Sequence, residues 1–211
     1  MNGIDVKRIA AVPPVEMESC LRAAGYRLIA GVDEAGRGSL AGPVVAAAVI
    51  LSPTCAIKGV DDSKALSAQQ RERLDLAIMS EAVAVGFGVV QEEMIDALNI
   101  LQATMLAMRR AVEALNPPPG FVLIDGDQSP RCAIPCRLIP SGDRLCFSIS
   151  AASILAKVAR DRIMRAYDLA LPHYGFGRHK GYGTSEHLST IARFGVSPIH
   201  RKSFKGVREY V

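Results

Sequence analysis

The chain has no tryptophan, and aromatic residues make up only 5% of its 211 residues. Any core must therefore be aliphatic, with alanines allowing close packing of elements. Cysteine is sparse and odd in number: Cys20, Cys55, Cys132, Cys136 and Cys146. An odd count without framework spacing argues against a disulfide scaffold and for the reduced thiols of a cytoplasmic protein. Cys132 and Cys136 lie four apart, but no second Cys/His pair completes a zinc set. No stretch approaches the ~20 apolar residues of a membrane span. Residues 1–14 hold no apolar run that could serve as a signal peptide. Repeats and low-complexity blocks are missing too. These absences favour a single globular domain over residues 1–211, away from membranes, with nothing that demands an oligomer; a monomer is the expectation.

Hydrophobic residues reach 49% and charged residues 22%, a balance that folds. The net charge of +4 is unevenly spread. Residues 171–211 carry seven Lys/Arg against two acids, so the excess sits in a basic C-terminal part, about residues 165–211. This suits either a polyanion partner or a solvated tail. The pattern predicts helices over 15–24, 67–82 with Ser67 as N-cap, 99–115, 148–169 and 184–194. Strands are expected over 27–32 running into Asp33, then 43–51, 83–90 and 121–124 ending at Asp125, with one more within 131–139. Strands that pair locally and then alternate with helices make an α/β fold with a mixed sheet.

Two acids stand where buried strands run out. Asp33 follows Leu28-Ile29-Ala30-Gly31-Val32, and Asp125 follows Phe121-Val122-Leu123-Ile124. Ligands of open α/β sheets bind beyond strand ends. Taken singly, either acid could cap a turn. The Asp33-Glu34 doublet is harder to explain that way, because adjacent like charges repel unless they share a cation. Oxygen-only ligands suit magnesium or manganese. Side chains alternate along a strand, so both acids reach one metal only if the chain turns there, which Gly36 would allow. Gly36-Arg37-Gly38 offers backbone amides and a guanidinium to a phosphate or ribose, though such a triplet is also an ordinary turn. Asp61-Asp62-Ser63-Lys64 is either a phosphate-holding loop or a capping turn.

Taken together these blocks are more specific. Gly31-Val32-Asp33-Glu34-Ala35-Gly36-Arg37-Gly38, the run Leu40-Ala41-Gly42-Pro43-Val44, Asp62-Ser63-Lys64, Leu123-Ile124-Asp125-Gly126, Gly142-Asp143, residues 151–161, His179-Lys180-Gly181-Tyr182-Gly183-Thr184 and Pro198-Ile199-His200-Arg201 occur in one register. The chain resembles the ribonuclease HII (type 2 ribonuclease H) family over about residues 27–204. The resemblance implies a ribonuclease H-like fold: a five-stranded mixed sheet flanked by helices, with a C-terminal helical part. It implies an endonuclease that cuts the RNA strand of RNA/DNA hybrids and nicks duplex DNA on the 5′ side of embedded ribonucleotides. Divalent metal, Mn2+ or Mg2+, would be held by Asp33, Glu34, Asp125 and Asp143. Gly36, Arg37 and Gly38 would read the ribose 2′-hydroxyl, and Tyr182 would pack on the sugar, though between two glycines it could also cover a core edge. Ser63, Lys64 and Lys180 would contact phosphates. Asp161 reads as a structural partner of Arg160 or Arg162, Ser153 as packing or a phosphate contact, and His179 as a phosphate contact or solvated loop residue.

The expected chemistry is phosphodiester hydrolysis by two metal ions ~4 Å apart, leaving a 5′-phosphate and a 3′-hydroxyl. Two rivals fit the same residues. One is a nuclease acting on plain DNA from the same carboxylates. The other is a basic nucleic-acid-binding module whose acids are only caps.

Overall fold

The computed structural model describes residues 12–60 and 66–211. Five strands form one sheet: β1 (Ile29–Ala35), β2 (Val44–Leu51), β3 (Ala82–Val90), β4 (Phe121–Asp125) and β5 (Cys136–Ile139), in the order β3-β2-β1-β4-β5. The first three pair antiparallel; β4 joins β1, and β5 joins β4, in parallel. Among the described residues there are seven α-helices: α1 (Met17–Ala23), α2 (Ala68–Glu81), α3 (Glu92–Leu98), α4 (Ile100–Glu113), α5 (Phe147–Ala170), α6 (Phe176–His179) and α7 (Ser185–Phe194). The expected mixed sheet with flanking helices and a C-terminal helical part is what the chain forms. Among the described residues no helix is long and apolar enough to cross a membrane.

β2 explains why its sequence is apolar at every position. Ala46, Ala48 and Ile50 pack toward α4, beside Ala103, Ala107, Met108 and Ala111. Ala47, Val49 and Leu51 pack toward α2 and α5, beside Ile78, Ala151, Ala152 and Leu155. A strand buried on both faces loses the usual alternation. The shortage of aromatics is met by close approach. A Cβ on Gly88 would lie 2.0 Å from the Ala107 carbonyl oxygen, and one on Gly31 would lie 2.2 Å from the Ser148 carbonyl carbon. Glycine at these points lets α4 and α5 lie directly on the sheet.

The helix ends follow their local chemistry. Ser67 and Gln70 form a capping box at α2. Asn99 caps α4, and Thr184 caps α7. The strand expected within 131–139 is Cys136–Ile139. The short helices α3 and α6, with no long apolar stripe to announce them, are not among the expected elements. The strand expected to stop at Asp33 continues to Ala35, because β2 still pairs with it up to Ala35 opposite Val45.

Candidate active site

That longer strand changes the geometry of the acidic doublet. Odd positions of β1 face α5, where Gly31 meets Ser148, and even positions face α4, where Ala30 and Val32 join the core. Asp33 and Glu34 therefore leave the sheet on opposite faces. Yet carboxylate oxygens of Asp33, Glu34 and Asp125 all lie within 4.8 Å of one another. No turn between the acids is needed. β4 accompanies β1 only as far as Val32 opposite Ile124, so the β1 edge is open at the two acids. Both side chains reach over that edge to Asp125, which ends β4.

The cluster is electrostatically poised. Asp33 is 5% exposed. Burial first, then the charges of Glu34 and Asp125, hold its carboxyl well above the usual aspartate range. Burial and Asp125 also raise Glu34, while Arg37, 3.9 Å away, opposes the shift. Groups that disfavour their own ionisation at close range gain most from a shared cation. Three carboxylates with no nitrogen or sulfur donor suit a hard divalent ion. The residues present fit such a group.

The surrounding bonds fix the acids in place. The Glu34 amide donates to Asp33 Oδ1 at 2.7 Å, and the Gly142 amide donates to Asp125 Oδ1 at 2.6 Å. Asp143 follows Gly142 directly, in the turn Gly142–Arg144, and is buried. Its carboxylate is not one of the three that converge; its backbone carbonyl accepts the Ser150 hydroxyl at 2.6 Å. The buried Ser153 hydroxyl bonds Asp33 and favours its ionised form. From sequence, Ser153 reads equally as packing or a phosphate contact, since nothing local tells which face of a small-residue helix meets an acid.

The glycine-rich turn is built differently. Gly36 has φ +92°, and a Cβ there would lie 1.9 Å from Arg160 Nε. Two fully buried arginines organise the turn. Arg201 donates to the carbonyls of Gly36 (2.7 Å), Arg37 (3.0 Å) and Gly42 (3.0 Å). Arg160 donates to those of Pro43 (2.9 Å), Ala41 (3.0 Å) and Lys180 (2.9 Å). Neither forms an ion pair among the described residues; burial first, then the charge of the neighbouring Arg160, presses the Arg201 guanidinium down to about 9. In a trans peptide the N–H points opposite the C=O. Drawing the Gly36 and Arg37 carbonyls inward therefore turns the amides of Arg37 and Gly38 outward. From sequence, Arg160 reads only as a partner for Asp161, and Arg201 only as part of a family block. Their signal was present only as basic residues inside otherwise apolar or small-residue blocks.

Tyr182 is partly exposed, with Lys157 Nζ and Arg160 Cζ each 5.5 Å from its ring centroid. Ser153, Lys157 and Arg160 lie at helical spacing on one face of α5 and connect the acids to Tyr182. Seven residues separate the ends of this series, ~10 Å of helix. The Lys180 ammonium turns back onto the Gly177 carbonyl. Asp161 bonds Lys157 at 2.7 Å rather than either neighbouring arginine; Arg160 is taken by carbonyls, and Arg162 by Glu72 and Asp75. His179 is buried and its Nε2 meets the Tyr174 carbonyl at 2.8 Å, so it is not a solvated loop residue. Ser63 and Lys64 lie outside the described residues.

A model of the family described as ribonuclease HII matches residues 30–207. The chain belongs to the ribonuclease HII family. Ribonuclease HII of Syntrophotalea carbinolica is 50% identical over 200 residues, covering 95% of this chain and 96% of that one. The Geobacter sulfurreducens protein is 52% identical over 196 residues, covering 93% and 90%. Among solved structures, ribonuclease H2 from Pyrococcus horikoshii OT3 superposes with a TM-score of 0.71 at 26% identity, covering 87% of this chain and 96% of that one. Membership carries a class of activity with it: a ribonuclease H hydrolase acting on RNA/DNA hybrids.

Proposed function

We propose that this ribonuclease HII family chain nicks duplex DNA on the 5′ side of embedded ribonucleotides, besides cutting the RNA strand of hybrids, by two-metal-ion hydrolysis. The observation that carries the reading is the convergence of Asp33, Glu34 and Asp125 within 4.8 Å, beside a turn whose carbonyls are drawn inward. Asp33, Glu34 and Asp125 would hold Mn2+ or Mg2+, with Asp143 completing the set from the adjoining turn. Bound divalent ions supply a water nucleophile at neutral pH and charge for the leaving 3′ oxygen. The chain's own residues do the rest. Outward amides of Arg37 and Gly38 offer donors to a ribose 2′-hydroxyl, the group that separates RNA from DNA. Gly36 allows the backbone to approach Arg160 closely enough to form that turn. Tyr182 offers a ring face to the sugar next to it. Arg37 and Lys180 supply positive charge for phosphates, as would Ser63 and Lys64.

The discriminating experiment is cleavage of a duplex with one ribonucleotide beside the same duplex in DNA alone, with Mg2+, Mn2+ or chelator. Metal-dependent nicking 5′ of the ribonucleotide, with a 5′-phosphate product and intact plain DNA, is expected. Equal cutting of plain DNA would favour a DNA nuclease on the same acids, and binding without metal-dependent turnover would reject the enzyme reading.

A further inference from the structure

Three histidines that the proposed chemistry does not use lie together under the Tyr182 loop. His179 and His187 are stacked with centroids 4.3 Å apart, and His187 and His200 are 5.1 Å apart. All three are buried. They are not a metal site by contact: His187 Nε2 and His200 Nε2 face each other at 2.9 Å, a hydrogen-bond distance.

The protons can be placed one by one. The Ser197 amide donates to His200 Nδ1 at 2.9 Å, so that nitrogen is an acceptor and the His200 proton is on Nε2. His200 Nε2–H then donates to His187 Nε2. The His187 proton is consequently on Nδ1, which lies 3.0 Å from the Tyr182 carbonyl and donates to it. Independently, the Gly181 amide donates to His179 Nδ1 at 3.2 Å, leaving His179 Nε2–H for the Tyr174 carbonyl. His187 and His200 are neutral in this arrangement, and each bond of the series has one proton. A charged His187 or His200 would set two donors against each other. In agreement, burial lowers both of these imidazoles to about 4.

The two ends of this chain matter. One end is the carbonyl of Tyr182. At the other, His200 bridges Ala41, and the neighbouring Arg201 holds the carbonyls of the glycine-rich turn. We propose that His200 and His187 are positioning residues: a one-directional hydrogen-bond relay that sets Tyr182 relative to the Gly36-Arg37-Gly38 turn and so fixes discrimination for a ribonucleotide. This inference rests on the reading of Tyr182 as the sugar-packing residue.

The relay predicts an inverted rescue pattern. An asparagine amide replaces the Nδ1 position of an imidazole, and a glutamine amide replaces Nε2. His187→Asn keeps the donor to the Tyr182 carbonyl, whereas His187→Gln keeps only the contact to His200. At position 200 the preference reverses: His200→Gln keeps the donor toward His187, whereas His200→Asn keeps only the Ser197 contact. The measurement is kcat and KM on the single-ribonucleotide duplex, with melting temperature taken alongside. His187→Gln and His200→Asn should each lose about five- to tenfold in kcat, the worth of one neutral hydrogen bond, relative to His187→Asn and His200→Gln. Their melting temperatures should match those of their rescued counterparts. If one pair does not fold, the other carries the same contrast. Equal losses within a pair, or losses that follow melting temperature, would overturn the relay. A Tyr182→Ala arm separates the two levels. Unchanged cleavage there would overturn the reading of Tyr182 and the relay's role with it; impaired cleavage beside equal histidine pairs would overturn the relay alone.

Discussion

The acid cluster and the glycine-rich turn sit on one helix face apart, yet they handle buried charge in opposite ways. At the strand ends, three carboxylates converge, and burial together with neighbouring negative charge raises the proton affinity of Asp33 and Glu34. At the turn, two buried guanidiniums spend their donors on six backbone carbonyls. The first region is left short of positive charge, which suits an incoming cation. The second is internally satisfied and presents its amides outward. Repulsion marks the place for chemistry, and satisfaction marks the place for recognition.

The largest expected effect tests the first half of that contrast. Asp33→Asn or Asp125→Asn should reduce metal-dependent cleavage to background while hybrid binding survives. Without metal the same Asp33→Asn protein should melt higher, because a buried like-charge contact is removed; each ~1 kcal/mol would appear as about 2–4 °C. Full activity with Mg2+, or a lower melting temperature, would break the comparison.

Next is the second half. Arg201→Met keeps the volume but orphans the carbonyls of Gly36, Arg37 and Gly42. Three lost bonds outweigh the relief from burying a cation, so stability should fall by on the order of 3 kcal/mol. Calorimetry would check this, and an unchanged melting temperature would show that the turn holds itself.

Ser153→Ala joins the regions more gently. It removes a bond that favours ionised Asp33, so the metal concentration for half-maximal activity should rise about tenfold, with maximal rate less affected. A metal titration reads this directly.

The smallest effect concerns pH. The imidazoles of His187 and His200 lie at about 4 in the fold against an ordinary 6.5, so the unfolded chain binds more protons between those values. Their contribution to stability is whole above pH 6.5 and is lost as pH falls toward 4. Glu186, held by Arg178, and His179 are the other charged or titratable groups acting on His187. Denaturant midpoints of wild type and His187→Phe should diverge above pH 6.5 and approach one another toward pH 4.

Much of the fold is legible in the sequence because its elements carry local signals. Ser67, Asn99 and Thr184 stand at the helix starts where their side chains find free amides, and the unbroken apolar run of β2 announces burial on both faces. Asp33 and Asp125 were visible as candidates from their place after buried runs. Asp143 was reached only through family resemblance, and its carboxylate stays outside the converging three.

What the sequence by itself determined is therefore the set of strands, the caps and the pair of strand-end acids, since period and cap chemistry act over a few residues. Tertiary structure alone decided how Asp33 and Glu34, on opposite faces of a continuous strand, meet Asp125 over an open edge. It also decided that Arg160 and Arg201 face carbonyls rather than solvent, that Ser153 bonds Asp33, and that His187 and His200, 13 residues apart, meet through their Nε2 atoms at 2.9 Å. Those outcomes depend on where strand pairing stops and on which helix face is laid against the sheet. Both are set by packing between segments distant in the chain, and no local pattern encodes them.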